Sequence, residues 1–267
     1  VTPNWIDLDG LVNLRDVGGI STDDGDKIKT GRLLRSDNLQ SLTEDDIAAL
    51  LRYGLTDVID LRSTHEVDSE GPGPLTGRDD VRIHHHSMFR ESDPEVSSDQ
   101  PHEKVEAAPA EALPWIDLEP SVQVSDASAS FYLSYLVDRP DSVLASLRDI
   151  AEAPGAALVH CAAGKDRTGT VVALALSVAG ANRAQIIADY AASTEKVPEI
   201  VDRLRRSKTY AANLEGRPLS SHHTRPETME HVLAFLDRQH GGVLPYLTSI
   251  GWTDADTERL RAKLLND

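Results

Sequence analysis

Two side chains define the chemistry this chain can do, Cys161 and Arg167, separated by five residues in the stretch H-C-A-A-G-K-D-R-T-G. Cysteine attacks as the thiolate. A guanidinium offers a planar fork of donors that matches two oxygens of a tetrahedral anion. A loop of this length brings both groups to one such anion. Between them, Ala162, Ala163 and Gly164 carry little or no side chain, so the backbone can curl and aim its N–H groups at a ligand. The apolar run Ala156 to Val159 reads as a buried strand before the loop, and Thr168 to Ala179 as a helix after it. Strand, tight loop and helix N-terminus make an anion site, since unpaired amides and the macrodipole converge there. The same field favours the thiolate of Cys161. The plainer alternative is a cysteine serving as a small core hydrophobe beside a solvated K-D-R cluster. The agreement of strand, loop and helix speaks against it.

The rest of the chain supplies the elements that position this loop. It has 267 residues, 27 of them basic and 44 acidic, for a formal charge of −17. That balance excludes nucleic acid or an anionic membrane as the main partner. No run of eighteen apolar residues occurs, so no stable membrane insertion is expected. The single cysteine excludes an internal disulfide and fits a reducing compartment. V-T-P-N-W-I-D-L-D-G at the start lacks a secretory pattern, so the expectation is a cytoplasmic protein, or one secreted without a classical signal peptide.

Strands are expected at Gly31 to Arg35, Leu55 to Leu61 and Val81 to His85, with a helix opened by Thr43 and stopped by Gly54. Strands spaced between helices predict an α/β fold, a mostly parallel sheet with helices on both faces and ligands at the carboxyl ends of the strands. Residues 91–130 are acidic and rich in Ser, Pro and Ala, with Trp115 the main apolar anchor, and read as a flexible insert. Helices follow at Phe131 to Val137, Val143 to Ala153, Asn182 to Ala192, Val197 to Leu214, from Thr224 to Gly241, and from an Asp254 cap to Leu265.

The loop resembles the signature of the cysteine-dependent phosphatases, with His160, Cys161, Gly164, Arg167, Thr168 and Gly169 all in place. Together with N-L-R-D-V-G-G at Asn13 to Gly19, D-L-R-S at Asp60 to Ser63 and A-D-Y at Ala188 to Tyr190, it resembles the bacterial atypical tyrosine/serine phosphatases over nearly its full length. The resemblance implies one phosphatase-type α/β domain over residues 1–267, with a C-terminal helical lid, for which 197–240 is the candidate. It implies metal-independent hydrolysis of phosphotyrosine, in some members also of phosphoserine, phosphothreonine and phosphoinositides, without a cofactor. The partners are then phosphorylated proteins or phosphoinositides as substrates. In ordinary tyrosine phosphatases the general acid is an Asp on a separate loop. Here H-H-H-S-M-F-R-E-S-D-P follows the third strand, with no Asp before Asp93.

On this basis Cys161 is the nucleophile, and Arg167 with the amides of Ala162, Ala163, Gly164 and Lys165 holds the phosphoryl oxygens. Asp166 is the leading candidate for the acid, with Asp60 and Asp93 behind it; its plainer role is to orient loop amides. Thr168 either hydrogen-bonds the leaving thiolate or only caps the helix. Lys165 either holds a second phosphate, as the matching lysine of phosphoinositide phosphatases does, or is a solvated loop lysine. Arg62 either reaches the phosphate loop or ends its strand in an ion pair. His84 to His86 alternate across a strand, so the triplet cannot offer three metal ligands on one face, and no metal site is expected. Arg203, Arg205 and Arg206 read as a solvated helix face. Gly216 and Pro218 mark a loop able to move that joins the helices Val197 to Leu214 and Thr224 to His240, the pair expected to cap the anion site.

Overall fold

A computed structural model describes residues 2–91 and 119–265. Asp93, Trp115 and most of the acidic stretch fall outside the described residues. Six strands form one sheet in the order β1 (Asn4–Trp5), β2 (Arg15–Asp16), β3 (Leu33–Ser36), β6 (Ala156–His160), β4 (Leu55–Asp60), β5 (Arg82–His85). The two short leading strands pair antiparallel, and β3, β6, β4 and β5 run parallel. The strand that feeds the loop is therefore central, with every residue of Ala156–His160 buried.

Alternation along the strands sends side chains into two cores. Leu33, Ile59, Ala157 and Val159 face one, shared with α3 (Ala127–Asp138), α4 (Pro140–Glu152) and α5 (Asp166–Val178). Leu34, Val58, Ala156 and Leu158 face the other, closed by Ile47 and Leu50 of α1 (Glu44–Arg52). Thr43 and Asp46 cap α1 reciprocally, and Gly54 at φ +94° turns the chain into β4.

The C-terminal half is helical: α6 (Arg183–Ala192), α7 (Val197–Arg206), α8 (Ala211–Leu214), α9 (Pro226–His240), α10 (Val243–Ser249) and α11 (Asp254–Leu265). Several boundaries differ from the sequence expectation. The helix after the loop begins at Asp166, two residues before Thr168, so Asp166 and Arg167 are in its first turn. Residues 127–130 belong to α3 rather than to the insert. The expected helix from Val197 to Leu214 is two helices. Ser207 Oγ accepts from Thr209 N at 3.1 Å and donates to Glu70 Oε1 at 2.6 Å, a local bond that competes with helix continuation. Thr253, not Asp254, caps α11, in a reciprocal pair with Asp256. A short helix, α2 (Thr64–Glu70), was not expected at all, and it carries a residue central to the site.

Candidate active site

The loop is shaped by what grips its carbonyls. Ala162 O accepts from Asn38 N at 3.0 Å, and Ala163 O from Asn13 Nδ2 at 2.9 Å. Gly164 O accepts from Arg35 Nη2 at 2.8 Å, and Lys165 O from Gly169 N at 2.8 Å. A trans peptide points its N–H opposite to its C=O, so tying these carbonyls outward turns the following amides inward. Among the described residues, the amides of 163, 164 and 165 donate to no protein acceptor. Gly164 is obligatory: it sits at φ +67°, and a Cβ would lie 2.3 Å from Ser36 O. Gly169 is constrained by contact alone: a Cβ there would meet the Tyr190 ring, at 2.8 Å from Cδ2, so that ring would have to shift.

The motifs remote from the loop are its scaffold. Asp189 on α6 binds Arg15 Nε at 2.8 Å and Arg35 Nη1 at 2.6 Å, all three side chains being buried. Arg15 in turn holds Asn13 Oδ1 at 2.7 Å, which aims the Asn13 amide at Ala163. Burial, together with the nearby Arg35, lowers Arg15 to about 10, still a cation at neutral pH. Burial works against the charge on Asp189, but the two arginines hold its carboxyl below the usual range. Arg203 is no part of a solvated face: it reaches Asp37 Oδ2 at 2.5 Å and Asn38 O at 2.6 Å, tying α7 to the chain after β3.

Arg167 is buried and held by Glu66, the residue that also closes the N-terminus of α2. Glu66 Oε2 accepts from Arg167 Nη1 at 2.5 Å and from Ser63 N at 2.6 Å, and Glu66 Oε1 accepts from Arg167 Nη2 at 3.0 Å. The ring of Phe89 lies 4.8 Å below the guanidinium. Burial opposes the charge on Arg167, but the Glu66 carboxylate and the neighbouring Cys161 raise it well above its ordinary value. Glu66 was missed in the sequence, although the S-T-H-E stretch from Ser63 is a capping-box signature.

Cys161 and Arg167 open onto a cavity of about 240 Å³. One wall is α3, with Phe131, Tyr132 and Tyr135; the other is Val197, Ile200, Val201 and Leu204 of α7, Leu214 of α8, and the 219–222 turn. Helix α9 packs on α3, α6 and α10 and contributes nothing to the lining. Asp166 lines the cavity, and its Oδ1 accepts from the buried Tyr132 hydroxyl, which lies 2.9 Å from that of Tyr190. Lys165 Nζ lies 3.8 Å from Asp166 Oδ2 and donates to His222 O at 2.5 Å, joining the loop to the turn above it. Thr168 Oγ1 is buried with no hydrogen-bond partner among the described residues.

Arg62 is elsewhere. Its Nε and Nη2 engage Asp60 at 3.0 and 2.6 Å, and neither residue lines the cavity. Burial resists the charge on Asp60, but His160, once protonated at acid pH, and Arg62 hold its carboxyl far below the usual range. Burial likewise lowers His160 to about 4, so it is a neutral ring behind the cysteine.

A central strand that runs into an amide-lined loop, with a buried cysteine and a braced arginine, is the architecture of a phosphate-handling enzyme. The chain belongs to the tyrosine phosphatase family, whose sequence profile matches residues 6–266. It is 30% identical over 277 residues to the triple specificity protein phosphatase PtpB of Mycobacterium tuberculosis (strain ATCC 25618 / H37Rv), covering 97% of this chain and 98% of that protein. It is 30% identical over 244 residues to a tyrosine-protein phosphatase of Nostoc commune, covering 89% and 75%. No described helix is long and apolar enough to cross a membrane.

Proposed function

We propose that the chain hydrolyses phosphomonoesters through a phosphocysteine, without a metal in the reaction. The observation that carries this reading is the loop itself: four carbonyls drawn outward, amides inward, and Arg167 fixed beside a buried Cys161. The Cys161 thiolate attacks phosphorus in line. The P–O bond to the leaving group breaks as the P–S bond forms, and the proton of Asp166 goes to the leaving oxygen. Water then attacks phosphorus of the phosphocysteine as Asp166 takes its proton; the new P–O bond forms as the P–S bond breaks, which regenerates the Cys161 thiolate and releases inorganic phosphate. Preorganised amides and Arg167 meet the charge on the equatorial oxygens, and Thr168 Oγ1, buried without a hydrogen-bond partner among the described residues, donates to the departing sulfur.

Phosphotyrosine suits the walls, since aromatic and aliphatic side chains of α3, α7 and α8 flank the loop. A range wider than phosphotyrosine is in keeping with the name triple specificity protein phosphatase carried by one relative, and the reading extends to phosphoserine, phosphothreonine and phosphoinositide substrates. For a second phosphate, Lys165 must exchange the His222 carbonyl for the ligand. Helices α7 and α8 act as the lid over the thiolate.

The test is Cys161→Ser. Turnover of an aryl phosphate should vanish while phosphate analogues still bind, and acid-quenched wild type should yield a phosphorylated Cys161 peptide by mass spectrometry. Turnover near wild type in Cys161→Ser would refute the mechanism. A protein that binds phosphotyrosine peptide without burst or turnover would instead be a docking module.

A further inference from the structure

Outside the cavity, the strongest grouping of ligand-type side chains lies at the β5 edge of the sheet. We propose that His84, His86 and Asp149 form a binding site for a divalent transition-metal ion of the zinc type, which fastens β5 to α4. His84 and His86 project from one face of the strand, two residues apart. His85 points to the other face, where its Nε2 donates to Arg62 O at 2.8 Å. The third ligand comes from α4, which is why the sequence triplet alone did not reveal the site. Asp149 Oδ2 lies 3.2 Å from His84 Nδ1 and 2.5 Å from His86 Nε2, and the three ligand atoms all fall within 4.8 Å of one another. Bonds of roughly 2.0–2.1 Å in a tetrahedral site place ligand atoms about 3.3 Å apart, inside that range. Two imidazoles and one carboxylate, with a position open to water, suit zinc and its neighbours rather than magnesium or calcium.

The support around His84 points the same way. His84 Nε2 donates to Asp57 Oδ1 at 2.8 Å. Asp57 is buried and is itself braced by Arg82 at 2.9 Å and Thr56 at 2.7 Å. A carboxylate on one ring nitrogen fixes the tautomer and leaves the other nitrogen as the ligand. That nitrogen, Nδ1, then faces a second carboxylate at 3.2 Å, a contact that needs a second proton or a metal ion between the two atoms. All three ligands are half-buried, so an ion can enter from solvent. The site is structural, since none of its residues lines the catalytic cavity. It lies at the root of the segment leading to Phe89 under Arg167, where Ser142 of α4 already holds Ser87 O at 2.7 Å.

The experiment is calorimetric titration of Zn²⁺ into chelator-stripped Cys161→Ser protein at pH 7.5, with Co²⁺ titrated in parallel for its visible spectrum. Using Cys161→Ser removes the competing thiolate. The expected result is one equivalent of Zn²⁺ and the intense d–d bands of a low-coordinate nitrogen and oxygen site. His86→Gln and Asp149→Asn should each lower affinity at least tenfold. Asp57→Asn, which touches no metal, should lower it roughly 10–100-fold. His222→Ala and His223→Ala should leave it unchanged. Absence of stoichiometric binding below millimolar Zn²⁺ overturns the proposal without recourse to any variant. So does binding that survives both His86→Gln and Asp149→Asn in folded protein, and a cluster joined only by protons gives the first of these results.

Discussion

Glu66→Gln tests whether Arg167 works because it is braced. Both members of the pair are buried, with side-chain exposures of 2% for Arg167 and 0% for Glu66, and two N–H···O bonds of 2.5 and 3.0 Å join them. Glutamine keeps the volume and one acceptor but turns an amide donor towards the other guanidinium nitrogen. Arg167 cannot relieve this by losing its proton, because a guanidinium stays charged in proteins even without its carboxylate partner. Breaking a buried pair by removing one partner costs about 3–5 kcal/mol. Leu61 O, 3.3 Å from Nη1, and the Phe89 ring remain, so the lower figure applies. For a chain of this size, about 3 kcal/mol corresponds to a Tm lowered by roughly 6–12 °C. Misplacing a phosphate-holding group by an ångström costs about 10²-fold in rate. Binding of inorganic phosphate should change far less, because the variant also loses a carboxylate that repels the anion. Thermal unfolding, kcat for an aryl phosphate and inhibition by phosphate together read out the prediction. A variant with wild-type kcat would show that Glu66 merely caps α2, and the bracing argument would be wrong.

Asp166→Asn should cut turnover of a poor aryl leaving group by about 10²–10⁴-fold and that of a good one much less; equal losses would make Asp166 a structural residue and turn attention to Asp93. Lys165→Ala should harm a bis-phosphorylated substrate more than a phosphotyrosine peptide, as compared by kcat/KM; equal losses would mean that Lys165 serves only the common phosphate. Loosening residues 216–224 should speed peroxide inactivation of Cys161 and alter KM with the fold intact, and unchanged values would leave α7 and α8 as plain core cover. His160 is held near 4 by burial, against about 6.5 when unfolded. Between those values only the unfolded chain takes up the proton, so stability falls as pH drops from 6.5 to 4, by up to about 3 kcal/mol. Urea titrations at pH 7.5 and 5 should show about 2 kcal/mol of that loss in wild type, pH 5 lying part-way through the window, and a smaller loss in His160→Asn.

The strand, loop and helix around Cys161 were legible because each is local: an apolar run, small residues, then an apolar helix. The sheet was legible for the same reason at β3, β4 and β5. Strands β1 and β2 were not, having two residues each and no period to display. The scaffold was also hidden. Asn13, Arg15 and Asp189 stand out in the sequence as motif residues, but that they converge on the loop depends on contacts spanning 150 to 174 positions, which no spacing rule conveys. Arg203 looked like one of several basic residues on a polar helix face, and only the fold sets it against Asp37. Asp149 was one acid among 44, and its meeting with His84 and His86 is purely tertiary.

The scaffold also explains how a chain with a formal charge of −17 can hold a site for a dianion. Acidic residues further than about 8 Å away are largely screened at physiological salt. Buried charges close to the loop are not, and their local sum has the opposite sign. Arg15 and Arg35 share one buried carboxylate, Asp189, so two cations stand against one anion directly behind Gly164 and Lys165. The further acid near Arg15, Glu195, is exposed, and solvent weakens it. Arg167 is neutralised by Glu66, so the positive balance beneath the loop comes from the scaffold pair. Arg35 then does two things: its Nη2 turns the Gly164 peptide so that the next amide faces the anion, and its charge adds to the field there. Replacing Asp189 with asparagine would leave that charge in place but free the guanidinium from its orientation. The prediction separates field from geometry: phosphate affinity persists while turnover falls. A variant that lost both in proportion, with the fold intact, would show that the pair acts as a single electrostatic unit.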